Sequence, residues 1–169
     1  MLAGKLDTML LTYPYAQSYL FSALESTPIL LAGALAGLTD AEADFRPDLA
    51  RFTLREVLAH LADWDPIFSE RLTRMQGEDH PTLPGYDEGA WAIEHDYAGS
   101  DWREQLALFS ERRRALTAQV RAFAPVDWSR TADRPEIGVL SVQDLTMLIP
   151  LHDIYHLRQV REWREMYQP

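Results

Sequence analysis

The sequence predicts an all-α protein: a four-helix bundle with long loops between its helices. Four long segments place apolar residues at intervals of three and four, the period of an amphipathic helix. No strand-period run of useful length and no βαβ rhythm interrupts them. Stretches rich in Gly, Pro and Asp separate the segments, and their length leaves the order of helix packing open. We expect residues 1–169 to form a single domain.

The first two helices are predicted over about residues 15–38 and 53–77. The second opens with Thr53 and Glu56, whose spacing matches a capping box in which each side chain satisfies a free backbone amide. Its apolar residues recur at helical intervals up to the Gln-Gly pair that ends the segment. Pro66 lies within this helix, so we expect a kink there or the loss of one hydrogen bond.

The third and fourth helices are predicted over about residues 101–123 and 141–166. The third has an acidic and basic run at residues 111–114, which we interpret as a solvated helix face. The fourth contains Pro150 in its interior. Between the second and third helices, we expect only a short helix around residues 89–95.

Composition and charge exclude several classes of protein. The chain has 26 acidic and 16 basic residues and a formal net charge of −10, which disfavours binding to nucleic acids and to anionic membrane surfaces. Its most apolar stretch, residues 28–38, is shorter than the roughly 20 residues needed to cross a bilayer. Residues 1–20 make a poor signal peptide, and there is no cysteine. We therefore expect a cytoplasmic protein in which any metal site uses His, Asp or Glu.

Two histidines lie four residues apart on the fourth helix, in the stretch PLHDIYHLRQV. At 3.6 residues per turn, His152 and His156 fall on the apolar stripe of that helix. The stripe comprises Leu145, Leu148, Ile149, Val160 and Trp163. A shared metal ion explains two imidazoles at neighbouring core positions, although a hydrogen-bonded core pair has the same spacing.

A third histidine lies on the inward side of the second helix. By itself, His60 is more often a hydrogen-bonded core residue than a ligand. Together with His152 and His156, it completes a three-imidazole set between facing helices. With an open fourth position, that set suits a divalent Zn, Ni or Fe ion. His80 and His95 lie in a loop and are expected at the surface, with His95 as a reserve ligand.

The stretch HDIYH matches the zinc-protease motif H-E-x-x-H in spacing only. Asp153 occupies the position of the general base, where that motif has glutamate. Gln159 and Glu162 stand where a metzincin would have its glycine and its third histidine. We therefore do not expect a protease.

Two stretches resemble the DinB/YfiT-like group of metal-binding four-helix proteins. They are REVLAHLADW at residues 55–64 and HDIYHLRQ at residues 152–159, which contains an H-x-x-x-H-x-x-Q signature. The resemblance spans most of the chain. It implies an antiparallel bundle of unusual helix order, a homodimer, and a divalent metal held by the matching histidines His60, His152 and His156.

The activities that this resemblance implies are mostly thiol-dependent. They include mycothiol-dependent maleylpyruvate isomerisation and S-transfer from bacillithiol, mycothiol or glutathione. An open three-histidine site suits such chemistry because a bound cation lowers the pKa of a thiol or water. We therefore expect a metal-dependent transferase that acts on a small thiol and an electrophile. A metal-dependent hydrolase and a non-catalytic metal-binding stress-response protein are the alternatives.

Four other residues lie close to the histidines in the sequence. Gln159 matches the glutamine of the family and either orients a ligand or joins two helices. Asp63, one turn after His60, either accepts a bond from an imidazole or is a solvated carboxylate, which is the commoner case. Tyr155 and Asp153 project about 100° to either side of the histidine pair, so we assign them no catalytic role.

Overall fold

The computed structural model describes residues 9–168. Residues 1–8, which belong to the stretch interpreted as a poor signal peptide, lie outside this range. The helices are α1 (Met9–Thr12), α2 (Pro14–Ala34), α3 (Asp40–Ala43), α4 (Leu54–Gly77), α5 (Glu88–Glu94), α6 (Trp102–Arg121) and α7 (Val142–Met166). Single-turn 3₁₀ helices lie at Tyr97–Gly99 and Asp127–Ser129. The predicted fold class is confirmed, because α2, α4, α6 and α7 overlap the four predicted segments.

The long helices begin at the residues whose side chains can cap them. Thr53 and Ser141 each form a complete capping box at the starts of α4 and α7. Asp101 accepts hydrogen bonds from two backbone amides at the start of α6. Pro66 and Pro150 lie inside α4 and α7, and both helices continue past them. Each proline therefore removes its own backbone donor without ending the helix.

The order of packing brings α4 next to α7. The main helix contacts form a ring in which α2 touches α6, α6 touches α4, α4 touches α7, and α7 touches α2. Among the described residues, the consecutive pairs α2 with α4 and α6 with α7 make no comparable contact. The long loops therefore cross the bundle, and residues far apart in the sequence meet between α4 and α7.

A short β-hairpin leads into α7, and it was not predicted. Strands β1 (Thr131–Arg134) and β2 (Gly138–Ser141) pair antiparallel, with Thr131 opposite Ser141. Gly138 adopts a φ of 87°, which the turn requires and a side chain would disfavour. Strands of four residues are too short to show a clear period of two, so no pattern in the sequence predicts them. Since Ser141 also caps α7, the hairpin fixes where that helix begins.

The core consists of two apolar clusters along the bundle. Trp64 packs in the cluster with Ile149, and Trp163 packs in the other with Val160. Most of the predicted stripe on α7 is therefore buried. Leu148 is the exception: it is exposed, and its place on the buried stripe was wrongly predicted.

A surface groove between the start of α2 and the middle of α7 is lined almost entirely by apolar atoms. Its most exposed members, here called the apolar face, are Tyr13, Tyr15, Tyr19, Leu151 and Ile154. Exposed apolar patches of this kind commonly mark contact surfaces. Within residues 9–168, no helix is long and apolar enough to span a membrane.

Candidate metal centre

The three predicted histidines meet between α4 and α7. His60 projects from α4, and His152 and His156 project from successive turns of α7. One ring nitrogen from each residue can be chosen so that all three lie within 4.8 Å of one another. The Nε2 atoms of His60 and His152 are 2.9 Å apart. This is the juxtaposition that the sequence predicted.

Burial keeps His60 and His156 neutral. His60 is fully buried, His156 is almost fully buried, and His152 is partly exposed. Desolvation, followed by the neighbouring histidines, lowers the pKa of His60 well below its ordinary value. Desolvation likewise lowers the pKa of His156 to about 3. At neutral pH both rings therefore carry the free lone pair that a metal ligand needs.

Gln159 sets the tautomer of His156. The Nε2 atom of Gln159 donates to the backbone carbonyl of Phe52 at 2.7 Å, which fixes the orientation of the amide. Its Oε1 atom then faces Nδ1 of His156 at 3.3 Å, where it can only accept a hydrogen bond from the ring. His156 therefore carries its proton on Nδ1 and keeps the lone pair on Nε2. Gln159 therefore orients a histidine, while its second bond joins α7 to the loop before α4 and not to another helix.

The unpartnered nitrogens of the cluster fit a cation. The Nδ1 atoms of His60 and His152 are buried and have no hydrogen-bond partner among the described residues. Their Nε2 atoms face each other, and one proton at most can lie between them. Ligand nitrogens about 2.0–2.1 Å from a tetrahedral zinc ion lie about 3.3 Å from one another. The cluster is already close to that spacing, so a divalent ion requires only small ring movements.

A pocket of about 470 Å³ opens onto the histidines. Its walls come from the loop before α4, the start of α5 and one face of α7. The lining residues are Ala50, Arg51, Phe52, Glu88, Gly89, His152, Tyr155, His156 and Gln159. His60 does not line the pocket, so it lies behind the two histidines of α7. The volume suits a small organic molecule.

A buried ionic network supports α7 beside the cluster. Arg113 of α6 donates to Asp65 through Nε at 2.9 Å and through Nη2 at 2.7 Å, and it also pairs with Asp153. The hydroxyl of Thr27 donates to Asp153 at 2.7 Å. The Oδ1 atom of Asp153 lies 3.9 Å from Nδ1 of His152. The network thus ties α2, α4 and α6 to the helix turn that carries His152.

Charge in this network is balanced by close pairing. Burial alone would raise the pKa of Asp153, but the neighbouring His152 and the hydrogen bonds from Arg113 lower it below its ordinary value. Burial raises the pKa of Asp65 to about 6, even though Arg113 opposes the shift. The guanidinium of Arg113 stays charged, because its two carboxylate partners raise its pKa despite burial.

One sequence interpretation was wrong at this network. Arg113 was assigned to a solvated face, yet it is buried, whereas Glu111 and Arg114 are exposed as predicted. Its spacing of four from Phe109 and three from Leu116, both buried, was the signal that it lies on the inner stripe. Asp153 was given no catalytic role, and it is fully buried beside the cluster. No simple sequence pattern marks this burial, because its partners Thr27 and Arg113 lie on two other helices.

The remaining candidates lie away from the cluster. Asp63 is partly buried and pairs with Arg112 at 3.0 Å, so it makes no contact with an imidazole nitrogen. His80 and His95 are both exposed, as predicted. His95 stacks on Trp91 with ring centroids 4.2 Å apart. The reserve ligand is therefore not needed to complete the set.

Comparison with known proteins points to one family. The DinB superfamily profile matches residues 23–160. A curated relative from Oceanobacillus iheyensis, named "Putative metal-dependent hydrolase OB0782", is 28% identical over 137 residues, covering 81% of this chain and 79% of the relative. YfiT from Bacillus subtilis, named in the same way, is 27% identical over 140 residues, covering 82% of this chain and 79% of the relative.

A solved structure of YfiT from Bacillus subtilis is also similar. It superposes with a TM-score of 0.82 at 26% identity, covering 89% of this chain and 87% of the other. That structure is described as a probable metal-dependent hydrolase with an unusual four-helix bundle topology. Among the described residues of this chain, α4 and α6 are the one pair of consecutive long helices that packs side by side.

Proposed function

Because the chain belongs to the DinB superfamily, we propose that it is a metal-dependent hydrolase whose divalent ion is held by His60, His152 and His156. The observation that carries the proposal is the cluster of three histidines, two of which line a pocket. The names of the relatives from Oceanobacillus iheyensis and Bacillus subtilis support the same reaction class. We propose Zn, Ni or Fe as the ion, since all three accept imidazole ligands.

Residues around the three histidines have separate roles in such a site. A divalent ion supplies Lewis-acid activation of water and of a carbonyl or phosphoryl oxygen. Gln159 holds His156 in the tautomer that leaves Nε2 free. Phe52 and Tyr155 form pocket walls that bind the apolar part of a substrate. Glu88, at the mouth of the pocket, can exchange a proton with a bound molecule.

The thiol-dependent transferase expected from the resemblance is the second candidate. The pocket has room for a small thiol beside the histidines, and neutral imidazoles suit a cation that activates a thiol as well as one that activates water. The two reactions differ in one requirement. Hydrolysis needs only water, whereas transfer needs the thiol as a co-substrate.

A turnover screen separates these candidates. Protein loaded with Zn, Ni or Fe is assayed with activated esters and amides, and in parallel with monobromobimane plus bacillithiol, mycothiol or glutathione. Hydrolase activity predicts ion-dependent turnover without thiol, lost in His156→Ala and kept in the surface control His95→Ala. Turnover only with a thiol supports the transferase instead. Absence of turnover in every assay contradicts both and leaves the non-catalytic alternative.

A further inference from the structure

Arg51 is held rigidly at the wall of the histidine pocket. It lies in the loop just before the cap of α4 and lines the pocket with His152 and His156. Its Nη1 atom donates to Glu162 at 3.1 Å. Its Cζ atom lies 4.3 Å from the ring centroid of Trp163 and 5.8 Å from that of Tyr155. An ion pair and two aromatic contacts thus fix the plane of the guanidinium.

One edge of this guanidinium has no partner. The Nε atom of Arg51 is shielded from solvent and makes no hydrogen bond to any described residue. Within residues 9–168, the bond to Glu162 is the one hydrogen bond found for the guanidinium, and it uses Nη1. The Nε–Nη2 edge is therefore free. That edge is a planar pair of donors whose spacing matches the two oxygens of a carboxylate.

The charges around the pocket favour an anion, although the chain as a whole carries a net charge of −10. Imidazole ligands bring no negative charge, so a divalent ion held by the three histidines would keep its positive charge. Glu162 is occupied by Arg51 and by Arg158, at 3.1 and 2.7 Å. Glu88 lies exposed at the mouth of the pocket. A positive interior in an acidic protein selects a negatively charged ligand.

We propose that the Nε–Nη2 edge of Arg51 binds a carboxylate of the substrate, so that the substrate class is a carboxylate-bearing ester, amide or related acid derivative. The inference rests on the proposed function, because it places the reacting group of the same molecule at the three histidines. Arg51 determines specificity and takes no part in bond breaking. A purely structural Arg51, by contrast, would affect ligands with and without a carboxylate equally.

Binding measurements test the anion site without any need for turnover. Metal-loaded protein is titrated by calorimetry with succinate, glutarate and adipate, and with butyrate, valerate and caproate, which lack the second carboxylate. We expect at least one diacid to bind about tenfold or more tightly than its matched monoacid, the size of a charge-assisted pair. Arg51→Gln abolishes that difference, and Arg51→Lys keeps only part of it, because lysine lacks the planar fork. Arg161→Gln, an exposed residue of α7 with the same change in charge, preserves it.

Equal binding of diacids and monoacids by the native protein overturns the proposal. So does a preference for diacids that survives in Arg51→Gln, once a thermal melt has shown that the variant is folded. Arg51→Lys provides the same test should Arg51→Gln fail to fold.

Kinetics then separate this inference from the proposed function. The matched substrates are mono-p-nitrophenyl succinate and p-nitrophenyl butyrate. We expect Arg51→Gln to lower kcat/KM for the anionic ester by about tenfold to a hundredfold and to change the neutral ester by about twofold at most. An equal loss for both esters contradicts a role in specificity. If neither ester turns over while the diacids still bind through Arg51, the hydrolase proposal fails and the anion site stands.

Discussion

The Nε2 atoms of His60 and His152 lie 2.9 Å apart, although 92 residues separate them along the chain. Helices α4 and α7 place them there because the long loops cross the bundle and make these two helices neighbours. The contact holds the buried ring of His60 against the partly buried ring of His152, and the Nδ1 atoms of both rings have no hydrogen-bond partner among the described residues. Such an arrangement is costly for the empty protein and favourable for a protein that binds a cation.

Loss of Gln159 should weaken metal binding. In Gln159→Leu, the hydrogen bond that orients His156 is lost. Mutation of a residue that hydrogen-bonds to a metal ligand typically lowers metal affinity by about tenfold to a hundredfold. Gln119→Leu is the matched control, because Gln119 bonds to Ser69 and Thr73 on the far side of α4. Competition with a chromophoric chelator measures the affinity. Equal affinity in the native protein and in Gln159→Leu would show that Gln159 only joins the helix to the loop.

Breaking the buried ionic network should destabilise the fold. Arg113→Met leaves the carboxylates of Asp65 and Asp153 buried without their cation, which costs about 3–5 kcal/mol. Arg114→Met removes an exposed neighbour and should change the free energy of unfolding by less than about 0.5 kcal/mol. Urea unfolding of the metal-free proteins measures both values. Similar stability in the two variants would contradict a supporting role for the network.

Acid should destabilise the metal-free protein. Because the folded pKa of His60 and that of His156 lie below the ordinary histidine value of 6.5, the unfolded chain binds more protons as the pH falls below about 6.5. Each histidine then lowers the free energy of unfolding by up to about 1.4 kcal/mol per pH unit. Below about pH 6, Asp65 offsets the effect of one histidine. Its pKa is raised to about 6 in the folded protein, so the folded state binds that proton more readily than the unfolded chain does.

Urea unfolding in the presence of a chelator, at intervals between pH 7.5 and about pH 5, tests this sign. The free energy of unfolding should be steady above the histidine range and should fall below it, with a shallower slope below about pH 6. A free energy that is flat or rises as the pH falls would mean that the histidines are not held neutral in the folded protein.

The homodimer implied by the family resemblance is a further prediction. The apolar face offers a contact surface, and its member Ile154 is half exposed. Ile154→Asp should convert a dimer to a monomer by placing a charge in that contact. Val126→Asp, at an exposed apolar residue outside the face, serves as the control. Sedimentation equilibrium measures the mass, and a monomeric native protein would contradict the prediction.

Much of the fold follows from local patterns in the sequence. Apolar spacing and the caps at Thr53 and Ser141 locate the long helices to within a few residues. The same spacing places His60, His152 and His156 on inward faces. These features depend on residues a few positions apart, so a single sequence is enough to detect them.

Features that depend on tertiary neighbours were missed. Arg113 looks like a surface residue within its charged run, and only the carboxylates of Asp65 and Asp153 explain its burial. The bond from Gln159 to Phe52 joins residues 107 apart, so its geometry has no local signature. Arg51 is likewise positioned by contacts with the rings of Trp163 and Tyr155, which are distant in the sequence and close only in the folded chain.

The central claim is that His60, His152 and His156 bind a divalent ion, and metal analysis of the purified protein tests it most directly. We predict about one ion per chain in the native protein and in the control His95→Ala, and almost none in His156→Ala. Chelation should also lower the Tm of the native protein, because an ion that binds only the folded state stabilises it. A native protein that carries no ion when purified, takes up none from added Zn, Ni or Fe, and melts unchanged with chelator would contradict the claim.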